Sequence, residues 1–178
     1  CVESMPGFFA SGARQQAQRV CPAGQYADQG GTAKCEDCQA GTYQNQEGTT
    51  GCKRSEPGTH APSIRMTAPE ACSPGTVTDQ PGQAACEDCR AGTFANTTGM
   101  GPCGEAMPGI FAPGARHHAK RVCPAGQYAH QGGTAQCEDC QAGTYPNQQG
   151  TTGCKRSAPG THAPRLRMTA PEACSPRT

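Results

Sequence analysis

The chain has 178 residues, among them 24 Gly, 16 Pro and 14 Cys, with no Trp and only four each of Tyr and Phe. Leu, Ile, Val and Phe together number 11, about 6% of the chain, far under the roughly 20% below which a chain lacks the apolar content for a core, so a globular enzyme held by apolar packing is excluded. The formal net charge of +1 leaves no broad electrostatic footprint for nucleic acid or membrane, and no apolar run is long enough for a transmembrane helix or a signal-peptide core.

Cysteine, at about 8% of the residues, carries the signature of a disulfide scaffold from an oxidising compartment. The cysteines stand at 1, 21, 35, 38, 52, 72, 86, 89, 103, 123, 137, 140, 154 and 174, and their intervals of 20, 14, 3 and 14 recur with a period of 51. Residues 1–76 and 103–178 are identical at 61 of 76 positions, so a pair of 51-residue blocks is duplicated as a 102-residue unit. A shorter period lies beneath. Glycine recurs every 17 residues from Gly7 to Gly160, preceded by Pro or Ala and followed two residues on by Phe9, Tyr26, Tyr43, His60, Val77, Phe94, Phe111, Tyr128, Tyr145 or His162, while the next expected glycine is Arg177. The glycine is expected to permit a bend with positive φ or a close backbone approach, and the ring to cover the adjacent disulfide.

In chain order, residues 1–20 are expected to form a partial module, a cysteine-free frame around Met5-Pro6-Gly7-Phe8-Phe9 with fair helix propensity across 13–19. The first full repeat spans 21–71: two cysteine frames from Cys21 to Cys52, then a cysteine-free frame whose Pro57, Pro62 and Pro69 argue against helix or central strand. Further repeats span 72–122 and 123–173, residues 174–178 begin another, and the chain reads as a piece of a longer or processed protein. Turns and short two-stranded ribbons are expected elsewhere, with little helix. The expected fold is therefore a set of small disulfide-rich tandem repeats, an elongated rod of 17-residue frames grouped in 51-residue modules.

Each frame has one cysteine slot three residues before the glycine and another eleven after it. Every third frame loses both slots together, to Ser4 with Gln18, Ser55 with Pro69, Ala106 with Lys120, and Ser157 with Pro171. Paired loss is what a bond inside each frame predicts, because losing one partner would strand the other. The expected bonds are Cys21–Cys35, Cys38–Cys52, Cys72–Cys86, Cys89–Cys103, Cys123–Cys137 and Cys140–Cys154, with Cys1 and Cys174 pairing outside the fragment. An interleaved set, such as Cys21–Cys38 with Cys35–Cys52, leaves the same two over, and spacing alone does not separate the alternatives. Each within-frame loop would contribute roughly 3 kcal/mol in the chain-entropy model.

The charges are banded. Glu36-Asp37, Glu87-Asp88 and Glu138-Asp139 sit in the Cys-x-x-Cys junctions, whereas Arg14, Arg19, Lys53, Arg54, Arg65, Arg116, Lys120, Arg121, Lys155, Arg156, Arg165 and Arg167 sit in the cysteine-free frames and at their edges. The plain reading is a solvated surface; the sharper one is that acidic and basic bands of neighbouring chains meet in register. Cys21, Cys35, Cys38 and Cys52 could offer four thiolates to zinc, but each block has one close cysteine pair where structural zinc sites use two. The same motif lacks the βαβ context of a redox catalyst. His117, His118 and His130 fall where the other copy has Gln15, Gln16 and Asp28, which marks interchangeable surface positions. No catalytic residue, metal site or cofactor is expected. Asn96-Thr97-Thr98 is an N-glycosylation sequon, absent from the matching loops at Asn45 and Asn147, and the Thr, Ser and Pro of the cysteine-free frames suit O-linked or hydroxyproline-linked sugars.

Cys-Pro-Ala-Gly-Gln-Tyr at 21–26, Cys-x-Ala-Gly-Thr-Tyr/Phe at 38–43, 89–94 and 140–145, and the linking Cys-x-x-Cys resemble ephrin-receptor-like cysteine-rich repeats, related in style to the small modules of tumour-necrosis-factor receptors. The resemblance covers the cysteine frames fully and the cysteine-free frames only through their Pro-Gly-aromatic core. It implies secretion, disulfides within modules and an elongated rod; the regular omission of every third bond departs from it. Two functions follow as expectations. One is an extracellular structural protein that builds or coats a filament, appendage or cell-surface layer by self-association of identical repeats. The other is the ligand-binding stalk of a receptor or adhesin.

Overall fold

The computed structural model describes residues 4–11, 17–116, 118–146 and 148–174. Cys1, Arg14, His117, Asn147 and Arg177, together with most of the 13–19 segment read for helix propensity, lie outside the described residues.

The local unit follows from two adjacent residue types. Pro or Ala followed by Gly occupies the centre of a β-turn whose closing bond runs, for example, from the Gln25 N–H to the Pro22 carbonyl at 3.0 Å and from Thr59 N–H to the Glu56 carbonyl at 2.9 Å. Gly24 and Gly58 hold φ of 82° and 83°, which is the residue order and left-handed third position of a type II turn. Two residues of strand follow, paired antiparallel with two residues at the far end of the same frame. Gln25–Tyr26 pairs with Glu36–Asp37, Thr42–Tyr43 with Lys53–Arg54, and Thr59–His60 with Glu70–Ala71. Ten such ribbons are present and no helix, among the described residues. No helix is long and apolar enough to cross a membrane.

A two-residue ribbon is not stable alone; stability comes from each frame bonding to the next. The Gly24 N–H donates to the Gln44 carbonyl (2.8 Å), Ala27 N–H to Thr49 (3.1 Å), Cys38 N–H to Gly24 (2.9 Å), and Gly48 N–H back to Cys21 (2.8 Å). The frame of Gly109 has no cysteines, yet it makes the same four bonds: Gly109 to Ala129, Ala112 to Thr134, Cys123 to Gly109, and Gly133 to Ala106, at 2.7–3.1 Å. The ladder therefore does not depend on the disulfide.

The chain folds as two compact units, one comprising Cys1–Ser73, Val77–Glu87 and Thr98–Pro102, the other Pro74–Thr76, Asp88–Thr97 and Cys103–Thr178. In the first, the buried side chains are Ser4, Cys21, Cys38, Ser55 and Cys72 in the slot before each anchor glycine, and Ala27, Gln44, Ala61 and Thr78 three residues after it. In the second they are Cys89, Ala106, Cys123 and Cys140, with Ala95, Ala112, Ala129, Pro146 and Ala163. The buried side chains are mostly small, Cys, Ala and Ser, with Gln44, Thr76, Val77, Thr78 and Pro146 the larger ones, so the core has little need of Leu, Ile and Phe.

Six disulfides join Cys21–Cys35, Cys38–Cys52, Cys72–Cys86, Cys89–Cys103, Cys123–Cys137 and Cys140–Cys154, with Cα–Cα separations of 5.7–5.8 Å. Each links a buried slot to a half-exposed one. Cys174 is free and exposed. Where the bond is missing, the buried slot still holds a small residue: the Ser55 hydroxyl donates to the Gly41 and Gln83 carbonyls at 3.2 and 3.3 Å, and Ala106 is fully buried. Six disulfides in so short a chain belong to a protein of the extracellular or secretory space.

Candidate functional site

The chemistry that the fold assembles lies at the Cys-x-x-Cys junctions. Glu36 and Asp37 form the second strand of their ribbon, so their side chains face Tyr26 and Gln25 across it. Gln25 Nε2 donates to Asp37 Oδ1 at 2.6 Å, and the Tyr26 hydroxyl donates to Glu36 Oε2 at 2.8 Å. The ladder then brings a turn from two frames later over the same carboxylate, where Arg65 Nε donates to Asp37 Oδ1 at 2.6 Å. The second unit repeats the node: Gln127 and Arg167 meet Asp139 Oδ1 at 2.6 and 2.7 Å, and Tyr128 meets Glu138 at 2.8 Å. Arg116 Nε reaches Asp88 Oδ1 at 2.9 Å, with Thr76 standing where the other nodes have glutamine.

Three of the basic residues of the cysteine-free frames are paired within the chain. Arg65, Arg116 and Arg167 are spent inside the chain, each on an aspartate 28 residues earlier. Their backbone is unusual: φ is 62°, 59° and 60°, in a slot that holds Gly31, Gly48, Gly82, Gly99, Gly133 and Gly150 in other frames. The surroundings of the slot differ between frames, and nothing lies within 4 Å of Gly31 or Gly133. Val20, Arg54, Ala71 and Val122 lie over Gly48, Gly82, Gly99 and Gly150, whereas aspartate lies over each arginine. A left-handed L-residue costs roughly 1–2 kcal/mol, and an exposed ion pair returns at most about 1 kcal/mol. The pairing fixes the position of the guanidinium more than it stabilises the fold.

The hydrogen bond from Arg65, then that from Gln25, holds the Asp37 carboxyl below its ordinary pKa, and Gln127 followed by Arg167 does the same for Asp139. The hydrogen bond to Glu36 raises the Tyr26 hydroxyl above its ordinary value, and Glu138 raises that of Tyr128. Beside the first node lie two open grooves. One, of about 550 Å³, is lined by Tyr26, Lys34, Cys35, Glu36, Asp37, Gln39 and Arg65. The other, of about 280 Å³, is lined by Tyr26, Asp37, Gln39, Thr42, Gly51 and Cys52. The second unit has the counterpart of the latter, about 430 Å³, lined by Tyr128, Gln141, Ala142, Thr144 and Cys154.

The rings meet disulfides in part. Tyr26 and Tyr128 share their grooves with Cys52 and Cys154, and His60 Nδ1 lies 3.2 Å from Cys86 Sγ. Phe9 and Phe94 instead carry cations, Arg19 at 5.6 Å and Lys120 at 6.0 Å from the ring centroids. His60, Cys72 and Cys86 bring ligand atoms within 4.8 Å of one another, but both sulfurs are spent in the Cys72–Cys86 bond, and metal binding needs the thiolate. The zinc alternative at Cys21, Cys35, Cys38 and Cys52 fails for the same reason. His130 Nδ1 lies 3.7 Å from Glu138 Oε1. Asn96 is exposed; at the matching position Asn45 accepts from Lys53 Nζ at 2.9 Å.

The sequence reading missed the Arg–Asp nodes. A signal was present, since Asp37, Asp88 and Asp139 each stand 28 residues before an arginine, but that interval acquires meaning only from the ladder register. No protein-family model and no curated protein matches the chain.

Proposed function

We propose that the protein is an extracellular, non-catalytic structural repeat protein, which builds or coats a filament, appendage or cell-surface layer by association of its repeats with those of other copies. The observation that carries this reading is the repetition of whole surfaces. Ribbon, ladder and junction node recur with the same residues 102 positions apart, so each chain presents equivalent contact surfaces more than once, as regular assembly requires. The motif resemblance to ephrin-receptor-like repeats fits a secreted location, and the exposed Asn96 sequon fits a glycosylated surface. Electron microscopy of the native material tests the reading. Ordered fibrils or sheets that bind antibody to this chain are expected; single flexible stalks, each engaging a soluble ligand, would replace it with the receptor or adhesin function.

A further inference from the structure

We propose that Cys72–Cys86 is a thiol-exchange site, a cystine that opens reversibly to a small thiol of the glutathione class while the other disulfides stay closed. This chemistry is separate from the structural role proposed above, which needs no reactive sulfur.

A cystine becomes easier to reduce when its surroundings favour the open form, and a hydrogen-bond donor beside a sulfur does so by stabilising the thiolate. His60 supplies that donor. Its Nδ1 lies 3.1 Å from the Glu70 carbonyl oxygen and 3.2 Å from Cys86 Sγ. A carbonyl only accepts, so Nδ1 carries the proton, and the same N–H faces the sulfur. The Glu70 carboxylate stands 4.0 Å from Nε2, on the other side of the ring. The second sulfur has a partner as well. Cys72 and Thr78 are both buried, and Thr78 Oγ1 lies 3.8 Å from Cys72 Sγ, close enough to accept from a Cys72 thiol.

Neither group recurs at the other five disulfides. Phe9, Tyr26, Val77, Phe111 and Tyr128 hold the place of His60. Phenylalanine and valine have no donor, and both tyrosine hydroxyls donate to glutamates. Ala27, Gln44, Ala95, Ala129 and Pro146 hold the place of Thr78, and the Gln44 amide is spent on Gly51 and Gln46. The histidine recurs with the 102-residue unit: His162, 3.9 Å from the Glu172 carboxylate, stands 3.9 Å from Sγ of Cys174, the counterpart of Cys72.

Cys86 is the half-exposed sulfur and receives the attack. A thiolate bonds to Cys86 Sγ, the Sγ–Sγ bond breaks, and its electron pair leaves on Cys72 Sγ, which takes a proton from water. A second thiolate attacks the sulfur of the bound small thiol, releasing the small disulfide and leaving the Cys86 thiolate on the His60 N–H. Two small thiols are thereby oxidised to one disulfide, and the cystine is reduced to its two-thiol form. The frame holds its place meanwhile. Cys72 N–H donates to the Gly58 carbonyl, and Gly99 N–H donates to the Cys72 carbonyl, both at 2.9 Å. The equivalent bonds at Ala106 hold a frame that has no cystine, so the two sulfurs stay within reach and the bond can re-form.

Equilibrating the oxidised chain in graded glutathione redox buffers, alkylating the free thiols and mapping the peptides tests this, with amide exchange of the ladder as the check on folding. Cys72 and Cys86 are expected to open in buffers about tenfold or more less reducing than the other pairs require, the worth of one hydrogen bond to a charged group. The trapped glutathione adduct is expected on Cys86. His60→Tyr with Thr78→Ala copies residues of other frames and should return this cystine to the level of the rest. Tyr128→His sets an imidazole across from Glu138, as His60 is set across from Glu70, and should make Cys140–Cys154 easier to reduce by a similar factor. Earlier opening of any other disulfide in the wild type overturns the proposal. So does an unchanged order in the His60 and Thr78 variant with its ladder intact, because the openness of the frame would then set the order. No change at Cys140–Cys154 in Tyr128→His overturns it too, even where the first variant fails to fold.

Discussion

Adding one methyl group at Gly24 should do far more damage than adding it at Gly31, although both glycines hold positive φ, 82° and 75°. An alanine at either site carries the left-handed penalty of roughly 1–2 kcal/mol, reduced by up to about 1 kcal/mol through the stiffer unfolded chain. At Gly31 nothing lies within 4 Å of the added carbon, so the loss should stay near 1 kcal/mol. At Gly24 the added carbon falls on the backbone of Arg65, inside contact with the carbonyl oxygen and 2.9 Å from the carbonyl carbon. The turn two frames later must move, and with it the bonds from Gly24 to Gln44, Cys38 to Gly24 and Arg65 to Cys38, now 2.8–2.9 Å. Leaving one or two of these buried groups unpaired costs about 1–3 kcal/mol each, which, added to the net backbone penalty near 1 kcal/mol, brings the expected loss for Gly24→Ala to about 2–7 kcal/mol. Urea unfolding of the oxidised chains measures both, and amide exchange at Cys38 and Arg65 reports the local opening. Equal losses at the two positions would refute the close frame-to-frame contact on which the fold rests.

Converting a bonded frame to the bond-free kind, Cys38→Ser with Cys52→Pro on the pattern of Ser55 and Pro69, should lower stability by about 3 kcal/mol yet retain the Thr42–Tyr43 ribbon in amide-exchange maps; loss of that ribbon would show the disulfide to be essential to the ladder. The lowered pKa values of Asp37 and Asp139 mean that the stability they contribute is complete above the ordinary aspartate pKa and is lost as pH falls through their depressed values, so Asp37→Asn with Asp139→Asn should flatten the acid limb of an unfolding-midpoint curve. The raised values of Tyr26 and Tyr128 work in the opposite sense, with stability present below the ordinary tyrosine pKa and lost as pH rises through the raised one, a step that Tyr26→Phe with Tyr128→Phe should remove. Protein from a secreting eukaryotic host should lose mass at the Asn96 peptide on treatment with an N-glycosidase, and an unchanged mass would reject that site.

What could be read in advance was whatever the backbone demands of a single residue. A type II turn asks for Pro-Gly or Ala-Gly, and that demand recurs at Gly24, Gly41 and Gly58 whatever surrounds it, so period and frame were plain in one chain. The buried column at Ala27, Ala61 and Ala95 was not, because alanine is unremarkable at any exposure and only the ladder shows that this position, which holds Gln44, Thr78 and Pro146 in other frames, is buried. Ser55 looked like a vacated cysteine slot; its hydroxyl in fact bridges two carbonyls of neighbouring frames. The pairing of Arg65 with Asp37 was hidden for a geometric reason. Residues 28 apart meet only if each frame bonds to the next with a fixed offset, and composition carries no trace of that offset.

The missing third disulfide now has a physical context. The cysteine-free frames of Gly58 and Gly109 make the same ladder and bury the same slot, at Ser55 and Ala106, so the bond is not needed to shape them. Among the described residues, the large hydrophobic side chains left in solvent are Met5, Val20, Ile64, Met107, Val122 and Leu166, and every one belongs to a cysteine-free frame. Aliphatic exposure costs about 25 cal/mol per Å² of surface that could have been buried, and a chain this poor in apolar residues has little to spare. Chance scatter would spread six such residues over bonded and bond-free frames alike. Their confinement sets the bond-free frame apart from the two stapled ones in each 51-residue repeat: the frames without a cystine are the ones that hold large apolar side chains in solvent.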